Sequence, residues 1–187
     1  MIEFLKLKIK ELQLQIQIIT LQIRILIMKK NFENFALALR IRESSNNYQA
    51  VNAYGFLGAY QFGLARLSDL GYTERKPGVS GYANSSFQWR TGYSKEYFLS
   101  NPDFQDRVFK EHADNLITQI KAKLTDYLGK QINGTEITLS GLVAGAHLAG
   151  VNGVSSYLKG HYDNQDAFGT KVSSYIKAFA NYNLENV

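Results

Sequence analysis

A chain of 187 residues is long enough for one domain with a substantial core, and its lack of cysteine excludes disulfide bonds and thiolate chemistry. Its formal charge of +5 is concentrated at one end. Residues 1–30 hold six Lys/Arg and two Glu (+4), whereas residues 31–187 hold fifteen Lys/Arg and fourteen Asp/Glu (+1). The nearly neutral body predicts no nucleic-acid partner, because such partners need a basic surface.

The first 28 residues differ from the rest of the chain and predict a helical extension. Apolar residues follow a heptad register, and a second apolar row lies on another face, which is typical of a two-sided coiled coil. The first row is Ile2, Leu5, Ile9, Leu12, Ile16, Ile19, Ile23 and Leu26. Local alternation is also a strand signal, but no Gly, Pro or Asn is present to turn a hairpin. We therefore predict a helix that self-associates through residues 2–26.

This segment predicts neither a membrane span nor a signal peptide. Lys, Arg and Gln interrupt it too often for a span, and it lacks a compact apolar run with a small-residue cleavage site. A second interpretation is that Met28 is the true start and the first 27 residues are an upstream extension. We divide the chain into this extension, residues 1–28, and a domain over residues 29–187.

A helix is predicted over residues 31–43, because apolar side chains recur at a spacing that gives one buried face. These side chains are Phe32, Phe35, Ala36, Leu39 and, less regularly, Ile41. Arg40 and Arg42 suit the negative C-terminal end of the helix. Glu43 does not, since the helix dipole there opposes ionisation of a carboxyl group. A carboxyl group that keeps its proton is what a general acid needs.

A motif of fixed spacing begins at Glu43. Its members are Glu43-Ser44, Asn47, Ala50-x-Asn52, Gly55, Gly58 and Gln61. The segment resembles the active-site region of the lytic transglycosylases of the lysozyme-like superfamily. Those enzymes carry Glu-Ser, an Asn four residues after the Glu, Ala-x-Ser, and then Gly-x-x-Gly-x-x-Gln. Asn52 stands where the family usually has serine, and Tyr60 where it usually has methionine. A bare Gly-x-x-Gly is an ordinary loop signal, but its fixed distance from Glu-Ser favours a catalytic interpretation.

Further helices are predicted along the rest of the chain. The first covers residues 61–70 and ends at Gly71, before an irregular segment over residues 72–94. Asn101-Pro102 then provides an N-cap and a first-turn proline for a long helix that ends near residue 128, before Gly129. The last helix is expected at about residues 170–181.

A second family-like element lies at residues 144–154. Ala146, Ala149 and Gly150 fit the Ala-Tyr-Asn-Ala-Gly outline of the transglycosylases, while His147 and Leu148 replace the Tyr and Asn. The small residues also suit close helix packing. The three histidines of the chain have no metal-ligand spacing, so no metal site is predicted.

The resemblance implies a mainly α-helical, lysozyme-like domain that needs no cofactor and acts on peptidoglycan glycan strands. It implies cleavage of the β-1,4 bond between N-acetylmuramic acid and N-acetylglucosamine, with Glu43 as acid and then as base on the muramyl 6-hydroxyl. The implied substrate-binding and positioning residues are Ser44, Asn52, Tyr60, Gln61 and His147. The site of action would be the cell wall, in the periplasm or outside the cell, with delivery by a phage, a secretion apparatus or lysis.

Two other functions remain open at this point. One is a muramidase or chitinase-like hydrolase, which needs a second carboxylate; the candidates are Asp69, Glu74 and Glu96. The other is a structural protein, in which the coil carries a cell-wall-binding domain without activity.

Overall fold

The computed structural model describes residues 2–184, apart from the side chains of residues 26–30. Helix accounts for 59% of the chain and strand for 8%, so the prediction of a mainly α-helical protein is confirmed. None of the helices in the described residues combines the length and the apolar character that a membrane span requires.

The described part of the chain contains six α-helices and two small antiparallel hairpins. The helices are α1 (Ile2–Ser44), α2 (Leu64–Asp69), α3 (Lys95–Ser100), α4 (Pro102–Lys123), α5 (Leu139–Leu158) and α6 (Val172–Ala178). The hairpins pair β1 (Thr73–Arg75) with β2 (Phe87–Trp89), and β3 (Gln131–Ile132) with β4 (Thr135–Glu136).

Helix α1 joins the predicted extension and the predicted helix over residues 31–43 into one continuous element. The large apolar side chains between Ile2 and Ile25 are 48–72% exposed, on both apolar rows. Phe35 and Leu39, near the other end, are fully buried. The side chains of Leu26 and Met28, and the whole of residues 1 and 185–187, lie outside the described part. Because α1 is continuous from Ile2 to Ser44, the predicted boundary at residue 28 falls inside a helix. The division into an extension and a domain stays a prediction.

Helices α4 and α5 form the centre of the core. Asn101 caps α4, with its side chain accepting a hydrogen bond from the Phe104 backbone N–H, and Pro102 occupies the first turn, as predicted. The prediction that α4 continues to residue 128 is wrong. The helix ends at Lys123, because Leu124 leaves the helical region with φ −129° and a separate 3-10 turn follows. Gly150, with φ +69°, kinks α5.

Other boundaries also differ from the predictions. The helix predicted over residues 61–70 begins only at Leu64, because Gln61 has φ +52° and belongs to a tight turn. The segment over residues 72–94 is not wholly irregular, since it contains the β1–β2 hairpin. Trp89 lies half-buried in that hairpin, with its ring 5.8 Å from Phe98, so it anchors the segment to the core. Helix α6 is shorter than predicted.

Candidate functional site

A cavity of about 500 Å³ lies at the C-terminal end of α1. The other walls come from residues 45–63, here called the motif loop, from α5, and from the segment that leads into α6 together with α6 itself. Its lining includes Arg42, Glu43, Asn52, Gln61, His147 and Tyr175. Four of the residues nominated from the sequence, Glu43, Asn52, Gln61 and His147, therefore meet at one cavity.

Glu43 is the penultimate residue of α1, and its side chain is 14% exposed. The Tyr175 hydroxyl of α6 donates a hydrogen bond to Glu43 Oε1 at 2.5 Å. Burial, and then the charge of Glu43, raise the pKa of Tyr175, so its hydroxyl remains protonated and available as a donor. The Arg42 guanidinium lies 4.7 Å from the centre of the Tyr175 ring. The carboxyl group is thus held in place by a helix more than a hundred residues away in sequence.

The motif loop is held by Gln105, a fully buried residue of α4. Its Oε1 accepts from the Ala59 backbone N–H at 2.8 Å, and its Nε2 donates to the carbonyls of Tyr48 (2.9 Å) and Phe98 (2.8 Å). Gly58 has φ +74°, and a Cβ atom there would lie 2.0 Å from Gln105 Oε1. The second glycine of the motif is therefore required both by its backbone conformation and by contact with this side chain.

A polar cluster around Asp106 ties the same loop to α1 and α4. Asp106 Oδ1 accepts from Arg40 at 2.8 Å, from the Tyr60 hydroxyl at 2.7 Å and from the Tyr48 hydroxyl at 2.9 Å. Burial and the neighbouring carboxylate raise the pKa of Tyr48 to about 12 and shift the pKa of Tyr60 in the same direction. The Tyr60 ring stacks on Phe109 at 4.0 Å and is 1% exposed. Its side chain therefore faces α4 and does not line the cavity.

The remaining nominated residues stabilise the loop through backbone contacts. The Ser44 hydroxyl donates to the Ala59 carbonyl at 2.9 Å, which joins the end of α1 to the loop, and Ser44 does not line the cavity. Asn52 Oδ1 accepts from the backbone N–H groups two and four residues later, at 2.9 and 3.1 Å. Gln61 Nε2 donates to the Gly58 carbonyl at 2.8 Å. Asn52 and Gln61 thus combine a structural contact with a position at the cavity wall.

Two histidines, His112 of α4 and His147 of α5, form a buried histidine pair behind Glu43. His147 Nδ1 lies 3.0 Å from His112 Nε2, and His147 Nε2 lies 3.0 Å from the Tyr60 carbonyl and 4.0 Å from Glu43 Oε1. Arg66 of α2 donates from Nε to His112 Nδ1 at 2.7 Å. Burial lowers the pKa of both histidines, that of His112 well below its usual value. The imidazole rings next to Glu43, the candidate acid, are therefore neutral.

None of the three carboxylates nominated for a hydrolase lines the cavity. Asp69 pairs with Arg66 at 3.3 Å, Glu74 lies 3.8 Å from Arg90, and Glu96 is exposed on α3. The carboxylate that does share the cavity lining with Glu43 is Asp166. Its Oδ1 accepts two backbone hydrogen bonds, each at 2.8 Å, from residues two and four positions later.

Sequence reasoning missed the roles of Tyr175, Gln105 and the His112–His147 contact. The hydrogen bonds that reveal them join residues 132, 46 and 35 positions apart, so no local pattern could pair them. In the part of the chain that the structure describes, no group of three or more His, Cys, Asp or Glu residues could hold a metal ion.

Comparison with known proteins returns no match, whether to protein-family models, to curated proteins or to solved structures. The features that indicate a function are the motif around Glu43 and the geometry of the cavity that contains it.

Proposed function

We propose that this chain is a lytic transglycosylase with a lysozyme-like domain, which cleaves the MurNAc-β-1,4-GlcNAc bond of peptidoglycan. The observation that carries the proposal is the position of Glu43, a mostly buried carboxyl group in the wall of a cavity that Asn52 and Gln61 of the same motif also line. A volume of about 500 Å³ is in the usual range for small-ligand sites, roughly 300–1,000 Å³.

In the proposed reaction, Glu43 first acts as a general acid. It transfers its proton to the glycosidic oxygen as the bond from that oxygen to C1 of the muramyl sugar breaks, which releases the N-acetylglucosamine 4-hydroxyl. Because Tyr175 engages Oε1, we assign the transferred proton to Oε2. The Tyr175 hydroxyl then stabilises the carboxylate that remains, since hydrogen bonds to charged acceptors are the stronger ones.

Glu43 next acts as a general base. Its carboxylate accepts the proton of the muramyl 6-hydroxyl while that oxygen bonds to C1 and closes a 1,6-anhydro ring. The nucleophile is tethered to the reacting sugar, so the entropy of bringing it to C1 is largely prepaid. One carboxyl group therefore serves both steps and ends the cycle protonated, without consuming water.

The second candidate function is a hydrolase, and Asp166 is the observation in its favour. A retaining glycosidase needs a second carboxylate about 5 Å from the acid, and an inverting one needs it about 6.5–9.5 Å away to hold a water molecule. Two backbone N–H groups already engage Asp166 Oδ1, and they order the loop over residues 166–170. This structural role favours the transglycosylase, which needs no second carboxylate.

The deciding experiment is mass spectrometry of purified peptidoglycan digested by the full chain. We expect muropeptides that end in 1,6-anhydro-N-acetylmuramic acid, lighter by one water than hydrolytic products, and no cleavage of chitin. Glu43→Gln should abolish cleavage with the fold retained, because the amide cannot supply a proton; general acid–base catalysis contributes about 10²–10⁴-fold. Asp166→Asn should keep the anhydro product. If the main products instead carry reducing ends, and Asp166→Asn abolishes their formation, the protein is a hydrolase. Binding without any clearing of wall turbidity would favour the structural protein.

A further inference from the structure

We propose that Arg66 and the buried histidine pair form a positioning chain that holds His147 neutral, with its Nε2–H on the side of Glu43. The inference rests on the proposed function of Glu43 and deepens it. His147 and His112 would be positioning residues, and Arg66 would fix their proton positions from the far end of the chain.

The two ends of the positioning chain, Arg66 and the Tyr60 carbonyl, determine where the protons of the two histidines lie. An arginine Nε can only donate, so His112 Nδ1 must accept from Arg66. The proton of neutral His112 is therefore on Nε2, which donates to His147 Nδ1 at 3.0 Å. The proton of His147 is then on Nε2, which donates to the Tyr60 carbonyl, a group that can only accept. With both rings neutral, this assignment alone satisfies all three hydrogen bonds.

An additional proton does not fit this chain. A second proton on His147 would point Nδ1–H at His112 Nε2, which would have to become an acceptor. The His112 proton would then move to Nδ1 and face the N–H of Arg66. The surroundings also disfavour charge, because the rings of Phe62 and Phe109 pack edge-on against His147 at 5.8 and 6.1 Å. The His147 side chain is 7% exposed. Protonation of His112 therefore requires the Arg66 contact to break, and protonation of His147 requires either that contact or the hydrogen bond between the two histidines to break.

A neutral His147 suits an acid that must keep its proton until the bond breaks. The charged groups facing the pair are Glu43 from α1 and Arg66 from α2. A cationic His147, 4.0 Å from Glu43 Oε1, would favour the carboxylate before substrate arrives. A neutral His147 adds no such charge, and its single Nε2 proton stays on the Tyr60 carbonyl, so Tyr175 remains the hydrogen-bond donor to Glu43 Oε1. The positioning chain therefore keeps a positive charge on His147 away from the candidate acid.

The test combines imidazole NMR with kinetics on the full chain. Two-bond proton–nitrogen spectra of histidine-labelled protein report which ring nitrogen carries the proton. We expect both rings to be protonated on Nε2 alone, and to stay so below the usual histidine pKa of about 6.5. Arg66→Met should introduce the other tautomer or a protonated ring. Asp69→Asn is the matched control, because it removes the ion pair of Arg66 but leaves its Nε contact.

On soluble peptidoglycan fragments, Arg66→Met should lower kcat about tenfold or more, with little change in KM, and should depress cleavage further as the pH falls below about 6.5. Arg66→Lys, whose ammonium also only donates, should restore the wild-type tautomers and part of the rate. A histidine of the pair that is protonated on Nδ1 in the wild-type protein would refute the proposed positioning chain, even if Arg66→Met does not fold. Equal rates for Arg66→Met and Asp69→Asn would refute its role in catalysis. If the wild-type protein cleaves nothing, the transglycosylase assignment fails, and the spectra still decide the proton positions.

Discussion

Replacing Gln105 with methionine should destabilise the domain by about 3–5 kcal/mol, although the two side chains have similar volumes. The substitution removes three hydrogen bonds at once. The Ala59 N–H and the Phe98 carbonyl pair with Gln105 in fully buried bonds. Leaving a buried polar group unpaired costs about 1–3 kcal/mol. The Tyr48 carbonyl is partly accessible, so water offsets much of its loss.

Urea unfolding followed by Trp89 fluorescence can measure this loss, because Trp89 packs against the Phe98 ring. The matched control is Gln119→Met on the same helix. Gln119 is half-buried and makes one side-chain hydrogen bond, to Asn115, so its loss should change the free energy of unfolding by only about 0.5 kcal/mol. The quantity to compare is the loss in the free energy of unfolding. If the loss for Gln105→Met exceeds that for Gln119→Met by less than about 1 kcal/mol, the motif loop does not depend on Gln105.

Three further results are expected. Tyr175→Phe should lower kcat about tenfold to a hundredfold without unfolding the protein. The substitution removes a hydrogen bond to Glu43 that should contribute about 1.5–3 kcal/mol once the carboxylate forms. An unchanged kcat would exclude this role for Tyr175. Burial lowers the pKa of the histidine pair, so below about pH 6.5 the unfolded chain binds protons that the folded chain does not. Stability in urea should therefore fall with decreasing pH, by up to about 1.4 kcal/mol per histidine per pH unit, and a flat profile would contradict this. A chain that begins at Met28 should fold, cleave and sediment as a monomer, whereas the full chain should self-associate; an insoluble short chain would show that the extension packs into the domain.

The sequence predicted the elements whose signals are local. The apolar spacing of Phe35 and Leu39 predicted the buried part of α1, and Asn101-Pro102 predicted the start of α4. The end of α4 was missed because Leu124 and Leu128, on either side of a 3-10 turn, continue the apolar spacing beyond the helix. The β3–β4 hairpin had a usable signal, since Asn133-Gly134 has the two positive φ values that favour such turns.

The candidate site was predictable only where the motif is continuous in sequence. Glu43, Asn52 and Gln61 could be nominated together because the end of α1 and the motif loop that follows it bring them to one cavity. Gln105 and Tyr175 could not, because their contacts arise from packing between distant helices. Tyr60 was nominated for the sugar, but its hydroxyl bonds to Asp106, a partner that no local pattern could indicate. Position within a sequence motif predicts the backbone location of a residue more readily than the direction of its side chain.

Helix α4 determines where the chain can accept an inserted residue without disrupting the candidate site. Asp106 holds α1, Gln105 holds the motif loop and His112 holds α5, all within two turns of one helix. A single inserted residue between positions 106 and 112 would rotate His112 by about 100° relative to the other two attachments. It would separate α5 from α1 and the loop, whatever the inserted side chain. Insertions should instead be accepted at residues 76–83, an exposed loop that connects β1 to β2.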